Sequence, residues 1–193
     1  MDKIGIVLFG RTTSRAVFKW QYLQETLRSI ETLDAEISLL IFQDEPLEAE
    51  SKEEVLERVD SYKFVGSGNT FQQEICEQIE VFKNRGYQKI LILSACHALD
   101  VLTDRPTMKD LLIWDKKLVL NSLDNFKSKT LNHRFMFGDA ILIDNIWRRK
   151  KFLPQKDVDA NIYLNVKNVI GETKIPEYTY HDLNIIRIGW GTL

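Results

Sequence analysis

The sequence predicts an α/β fold: a mainly parallel, layered α/β sandwich with an antiparallel or irregular C-terminal extension. Three observations carry this. Continuous apolar runs at Ile4–Phe9, Glu36–Phe42 and Lys89–Leu93 read as strands buried on both faces. Between them, apolar residues recur at helical spacing. The two patterns alternate over the first 120 residues, as in a sheet covered by helices.

Each element follows from local chemistry. The first run is closed by Gly10. Trp20, Leu23, Leu27 and Ile30 then form one stripe of a helix over about 16–33. Ser51 with Glu54 makes a capping box ahead of Val55, Leu56 and Val59, which starts a short helix. Ser61–Val65 reads as a shorter strand, followed by a turn at Gly66–Asn69. Phe71, Ile75, Ile79 and Phe82 form the next stripe, capped by Thr70 or Asn69 and stopped by Gly86. A short helix is expected at Asp104–Leu112 and a strand at Lys117–Leu120.

After Asn121 helical periodicity is poor. Arg134–Phe137 and Ala140–Ile143 read as strands, and Asn184–Ile188 as a late one. The 193 residues therefore suit a single domain, residues 1–125 forming a nucleotide-binding-like core and 126–193 an extension of the same sheet. No repeat or low-complexity stretch interrupts it.

Bulk properties narrow the class. A net charge of −2 gives no support to a nucleic-acid partner, and the N-terminal apolar run is too short to insert into a membrane. Only two cysteines occur, Cys76 and Cys96, at no spacing that suggests a disulfide framework or zinc site. A cytoplasmic location is expected.

Ligands of open α/β sheets bind beyond the carboxyl ends of the strands, so those ends hold the candidate site. Gly10, Arg11, Thr12, Thr13 and Ser14 follow the first strand. Such a loop lets backbone N–H groups approach a pyrophosphate, and Arg11, Arg15 and Lys19 would add charge-assisted contacts. The plain alternative is a strand-to-helix connection with solvated basic side chains. Cys96, His97 and Asp100 follow the strand Lys89–Leu93. Adjacent residues of an extended chain point to opposite faces, which argues against a Cys96–His97 nucleophile pair. Asp100 reads either as a metal ligand or as a helix cap. Asp124, Asp139 and Asp144 lie near expected strand ends, where converging carboxylates could hold a divalent ion.

Other motifs have plainer readings. Asp157-Val158-Asp159 is expected to be a turn, and His133 and His181 have no partner at ligand spacing. The cluster Trp147–Lys151 reads as a solvated surface, or as an anion contact with Trp147 stacking on a base or sugar. The last strand, ending IGWGTL, would suit addition to a partner's sheet edge, in a protein complex or a homo-oligomer.

The run LFGRTTSRAVFKW, then GNTFQQEICEQIEVFKNRGYQKILILSACHALDVLT, then DKKLVLNSLDNF resembles a known family. It is similar to the GT-A-type glycosyltransferase-like proteins called selenodomain-associated transferases, relatives of the sugar-nucleotide and molybdenum-cofactor nucleotidyltransferases. The resemblance covers about two-thirds of the chain. Phe9, Arg11 and Lys19 stand at the family's spacing, and Gly68, Asn69, Phe71, Gly86 and Tyr87 are kept. Ser94, Cys96 and Ala98 replace the family's Gly-x-Asp-x-Pro, and Asn121-Ser122-Leu123-Asp124-Asn125 stands where a Gly-Pro and Asp-Gly-Gly are expected.

The resemblance implies a nucleotide-diphospho-sugar transferase-like fold. It also implies transfer of a sugar or nucleotidyl group from an activated nucleotide, assisted by Mg²⁺ or Mn²⁺. Carried over, Gly10, Arg11, Thr12, Arg15 and Lys19 would bind the nucleotide or sugar-nucleotide. Asp100 and Asp124 would supply catalytic carboxylates, with the metal ligands themselves unassigned. The lost aspartate at Cys96 keeps a second reading open, a non-catalytic descendant retained for ligand or protein binding.

Overall fold

The computed structural model describes residues 3–11, 20–42, 52–66, 70–95, 97–99, 116–122, 124, 126–180 and 185–187. Within these, β1 (Ile4–Arg11), α1 (Trp20–Ile30), β2 (Ala35–Phe42), α2 (Lys52–Glu57), β3 (Ser61–Phe64), α3 (Phe71–Asn84) and β4 (Lys89–Ser94) alternate as the sequence predicts. There follow β5 (His97–Leu99), β6 (Leu118–Val119), β7 (Phe135–Asp139), α4 (Ala140–Arg148), α5 (Val158–Ile170), a 3₁₀ turn (Glu172–Lys174), α6 (Ile175–Tyr178) and β8 (Ile185–Arg187).

Six strands form one sheet in the order β3-β2-β1-β4-β7-β6. β1 pairs in parallel with β2 and β4, and β2 with β3. β7 runs antiparallel to both β4 and β6, with Leu93 opposite Phe135 and Val119 opposite Phe137. A segment from the predicted extension thus lies inside the sheet. β5 and β8 form a separate antiparallel pair beyond the end of β4.

The strands are apolar throughout because both faces are covered. Ile4, Ile6 and Leu8 pack with Trp20, Leu23, Leu27 and Ile30 on one face. Val7 and Phe9 pack with Phe71, Ile75, Ile79, Phe82, Trp147 and Ile162 on the other. The stripes predicted for α1 and α3 are the buried ones. Cys76 packs inside the second layer, where burial raises its thiol to about 11. Thr70 stands at the N-cap of α3, but its side chain makes no capping hydrogen bond. Gly86 takes φ +86°, the left-handed conformation that ends this helix tightly.

Two C-terminal expectations are corrected. Ala140–Ile143 is not a strand: it opens α4, with Ala140, Ile143, Ile146 and Trp147 buried and Ile141 68% exposed. A four-residue apolar run does not distinguish strand from helix by itself. The segment 157–159 is not a turn but the N-terminus of α5, a helix the weak periodicity concealed. Its inward positions include Asn161 and Asn165, which are buried. Asn161 Oδ1 accepts from Leu153 N at 2.9 Å, and its Nδ2 donates to the Leu153, Lys156 and Asp157 carbonyls at 3.1 Å each. Asn165 Nδ2 donates to the Lys150 carbonyl at 3.2 Å. These amides fasten the preceding loop and are satisfied there, so they occupy core positions without an unpaired polar group.

The basic cluster 147–151 also takes a definite form. Trp147 is fully buried against Phe71 and Phe152, so it cannot stack on a base or sugar. Arg148 pairs with Asp144 and Glu80. No helix among the described residues is long and apolar enough to cross a membrane. Trp190 and the rest of IGWGTL lie outside the described residues.

Candidate functional site

The carboxyl ends of β1, β4 and β6 and the start of β7 meet at one edge of the sheet. Phe9 is in register with Ser94, and Ala95 N donates to the Phe9 carbonyl at 2.8 Å. Ser94 N donates to the Arg134 carbonyl at 2.9 Å. The turn 131–134 is therefore held beside Arg11, at the end of β1.

Asparagines shape that turn. Asn132 Oδ1 accepts from Arg134 N at 3.1 Å, while Asn132 Nδ2 donates to Asn121 Oδ1 at 3.0 Å. Asn121, just past β6, in turn donates from Nδ2 to the Tyr180 carbonyl at 3.0 Å. The first turn of α5 completes the clamp. Asp159 Oδ1 accepts from His133 N at 2.9 Å and also contacts the ring nitrogen Nδ1.

Beneath this edge lies an aromatic floor. His133 stacks on Phe9, with centroids 6.0 Å apart and planes at 25°. Phe71 meets both Phe9 and His133 edge-on. The Arg11 guanidinium sits over the Phe71 ring, 5.1 Å from its centroid.

The electrostatics follow from this crowding. Burial, and then the neighbouring charge of Arg134, hold Arg11 below its usual value. Burial also pushes His133 down, and Arg134 and Arg11 add to that push, outweighing the opposing hydrogen bond to Asp159. For Asp159 burial raises the value, but the His133 contact and the Arg134 charge prevail and hold it below the ordinary carboxylate range. An ionised carboxylate only accepts, so the imidazole proton sits on Nδ1. Neither Arg11 nor Arg134 belongs to an ion pair among the described residues.

Of the residues expected from sequence, Gly10 and Arg11 are the last two of β1, and Arg11 reaches this edge. Thr12, Arg15, Lys19 and Asp100, like Cys96, lie outside the described residues. Asp124 follows β6, where its Oδ2 accepts from Ser128 N at 3.1 Å and from Ser128 Oγ. That hydrogen bond holds its carboxyl below the ordinary range. No hydrogen bond or ion pair joins Asp124 to Arg11 or Arg134 among the described residues. Asp139 pairs with Lys89 at the far end of β7, and Asp144 with Lys83 and Arg148 on α4. These three carboxylates do not converge.

Sequence reasoning missed Arg134, and it treated His133 and Asp159 as unconnected. They are separated by 26 residues, and only the insertion of β7 beside β4 brings them to Arg11. No described group of three His, Cys, Asp or Glu could hold a metal ion.

No family model matches the sequence, and no curated protein matches it. Solved structures do match in fold. A cytidylyltransferase from Leptospira borgpetersenii serovar Hardjo-bovis superposes with a TM-score of 0.52 at 14% identity, over 94% of this chain and 77% of that one. A protein assigned as a nucleotide-diphospho-sugar transferase from Desulfovibrio desulfuricans G20 gives a TM-score of 0.52 at 9% identity, over 87% and 76%. The chain has the nucleotide-diphospho-sugar transferase-like fold. At these identities the likeness is one of architecture, and architecture alone does not fix chemistry.

Proposed function

We propose that this domain binds the pyrophosphate of a nucleotide or sugar-nucleotide between Arg11 and Arg134 and transfers the attached glycosyl or nucleotidyl group. The observation that carries the reading is the pairing of Arg11, at the end of β1 over the Phe71 ring, with Arg134, in the turn whose carbonyl accepts from Ser94 N; their charges act on one another, and neither is in an ion pair among the described residues. Placing like charges together costs free energy, and a bound polyanion relieves that cost. Guanidiniums also match phosphate oxygens in pairs.

Arg11 and Arg134 bind and orient the donor, and they meet the charge that grows on the departing phosphate. Phe71 gives Arg11 a rigid seat, so less ordering is needed on binding. Gly10, Thr12, Arg15 and Lys19 would extend the phosphate contacts along the loop after β1. Asp100 and Asp124 would supply carboxylates only as the family resemblance implies, and Asp124 is already engaged by Ser128. A divalent ion would have to lean on donor phosphates more than on described carboxylates, and no step is routed through one.

A crevice emptied of charge would mark a non-catalytic descendant. The sheet edge here carries two guanidiniums and an imidazole, whereas the carboxylates of Asp124, Asp139 and Asp144 do not converge on it. A buried free Cys76 suits a reducing cytoplasm, where we place the protein.

Thermal shift against nucleoside triphosphates and nucleoside-diphosphate sugars, with and without Mg²⁺ or Mn²⁺, tests the reading. A ligand at 100 times its Kd should add about 2.7 kcal/mol. Stabilisation that vanishes in Arg11→Ala supports it. No stabilisation by any donor at millimolar concentration overturns it.

A further inference from the structure

His133 is an unusual residue for a wall of the sheet. Its side chain is only 10% exposed; the ring rests on the aromatic floor, and the charges of Arg134 and Arg11 act on it. Asp159 Oδ1 accepts from Nδ1–H and from the backbone N–H of His133, which fixes both ring orientation and tautomer. Nε2 has no hydrogen-bond partner among the described residues. A carboxylate behind one ring nitrogen leaves the second unprotonated, as in the general-base half of a triad.

Resting on the transferase reading above, we propose that His133 is the proton acceptor of the reaction and Asp159 its positioning residue. The acceptor is a hydroxyl-bearing molecule. Its O–H bond breaks, the proton passes to Nε2, and the oxygen bonds to the donor's electrophilic centre, an anomeric carbon or a phosphorus. The bond from that centre to the pyrophosphate oxygen breaks, and its electron pair leaves on the phosphate facing Arg11 and Arg134. His133 then releases its proton to water. Among the described residues, the charged groups that act on the ring are Asp159 from α5, Arg134 from its own turn and Arg11 from β1. Burial, with the two arginines adding to it, favours the neutral resting imidazole, which is ready to accept. Asp159 steadies the imidazolium once it forms.

The experiment pairs pyrophosphate binding by calorimetry with donor turnover, read as nucleoside diphosphate from nucleoside-diphosphate sugars or pyrophosphate from nucleoside triphosphates. His133→Gln should bind pyrophosphate within about twofold of wild type, lose at least about a hundredfold in kcat, and lose the acid limb of the pH–rate profile. Asp159→Asn should also bind, lose about tenfold or more, and displace that limb. Turnover by His133→Gln within about threefold of wild type, or loss of binding in step with turnover, overturns the proposal. Long-range ¹H–¹⁵N correlation on the wild-type protein decides the matter even where the variant does not fold. A proton on Nδ1 supports the proposal and a proton on Nε2 overturns it. Pyrophosphate binding through Arg11 with no turnover of either donor class removes the transfer reaction and His133's role with it. Absence of pyrophosphate binding removes the donor-site reading itself.

Discussion

The Arg11 guanidinium lies 5.1 Å from the centroid of Phe71, a ring that also meets Phe9, Phe42, His133 and Trp147 edge-on. Phe71 therefore joins the packed core to the charged edge. Arg11→Ala and Arg134→Ala should each weaken pyrophosphate binding by about 10- to 150-fold, the range of a charge-assisted hydrogen bond. Phe71→Leu should cost only about two- to fivefold, the worth of the lost cation–π contact. Calorimetry at two salt concentrations measures all three, and an Arg11→Ala protein that binds like wild type would remove the phosphate assignment.

Acid should destabilise the fold through His133. An unfolded histidine titrates near 6.5, whereas burial and the two arginines hold the folded ring lower. Below about 6.5 the unfolded chain therefore binds a proton that the folded one does not, and stability declines toward the folded value. Asp159 behaves differently. Its stabilising contribution is present above its unfolded value and is lost only as pH falls through its depressed folded value. Between pH 7 and 5 the urea midpoint should fall in wild type and flatten in His133→Gln. A slope unchanged by the substitution would show that the ring does not titrate as described.

Asp144 binds α4 to α3. Its side chain is 8% exposed and meets Lys83 Nζ at 2.7 Å and the Arg148 guanidinium at 3.1 Å. Asp144→Ala should cost about 2 kcal/mol, less than the 3–5 kcal/mol of a sealed pair, because both cations can turn to water. Arg148→Ala should cost under about 1 kcal/mol, since its head group is half exposed. Denaturant unfolding of the two variants checks the order, and equal costs would contradict it.

Two glycines allow close approach in the sheet. A Cβ on Gly5 would stand 2.6 Å from the Phe82 ring, and one on Gly138 would stand 2.4 Å from the Lys117 carbonyl oxygen. Gly5→Ala should cost about 1–3 kcal/mol as Phe82 adjusts. Gly138→Ala should cost more, because a backbone oxygen in the β6–β7 ladder cannot move aside without opening the pairing. Comparing the two unfolding midpoints tests this, and a milder Gly138→Ala would refute it.

The first half of the fold was legible because local and tertiary demands agree there. Ile4–Phe9 and Lys89–Leu93 are apolar along their length since both faces are covered, and the α1 and α3 stripes match the helical period. The C-terminal part was harder to read. Asn161 and Asn165 occupy buried positions of α5 as loop fasteners, so that helix shows a weak apolar period. The apolar start of α4 has a strand's composition.

The sequence by itself determined the α/β class and the buried strand Ile4–Phe9 that runs into Gly10. Hydrophobic period and turn chemistry are local, and a single chain displays them. The tertiary structure alone decided what faces Arg11. β7 enters the sheet antiparallel to β4 and sets Arg134 and His133 at the carboxyl edge, while α5 returns Asp159 from 26 residues further on. Those meetings depend on strand order and helix docking. No spacing along the chain encodes them, and charge repulsion between Arg11 and Arg134 exists only once the sheet has closed.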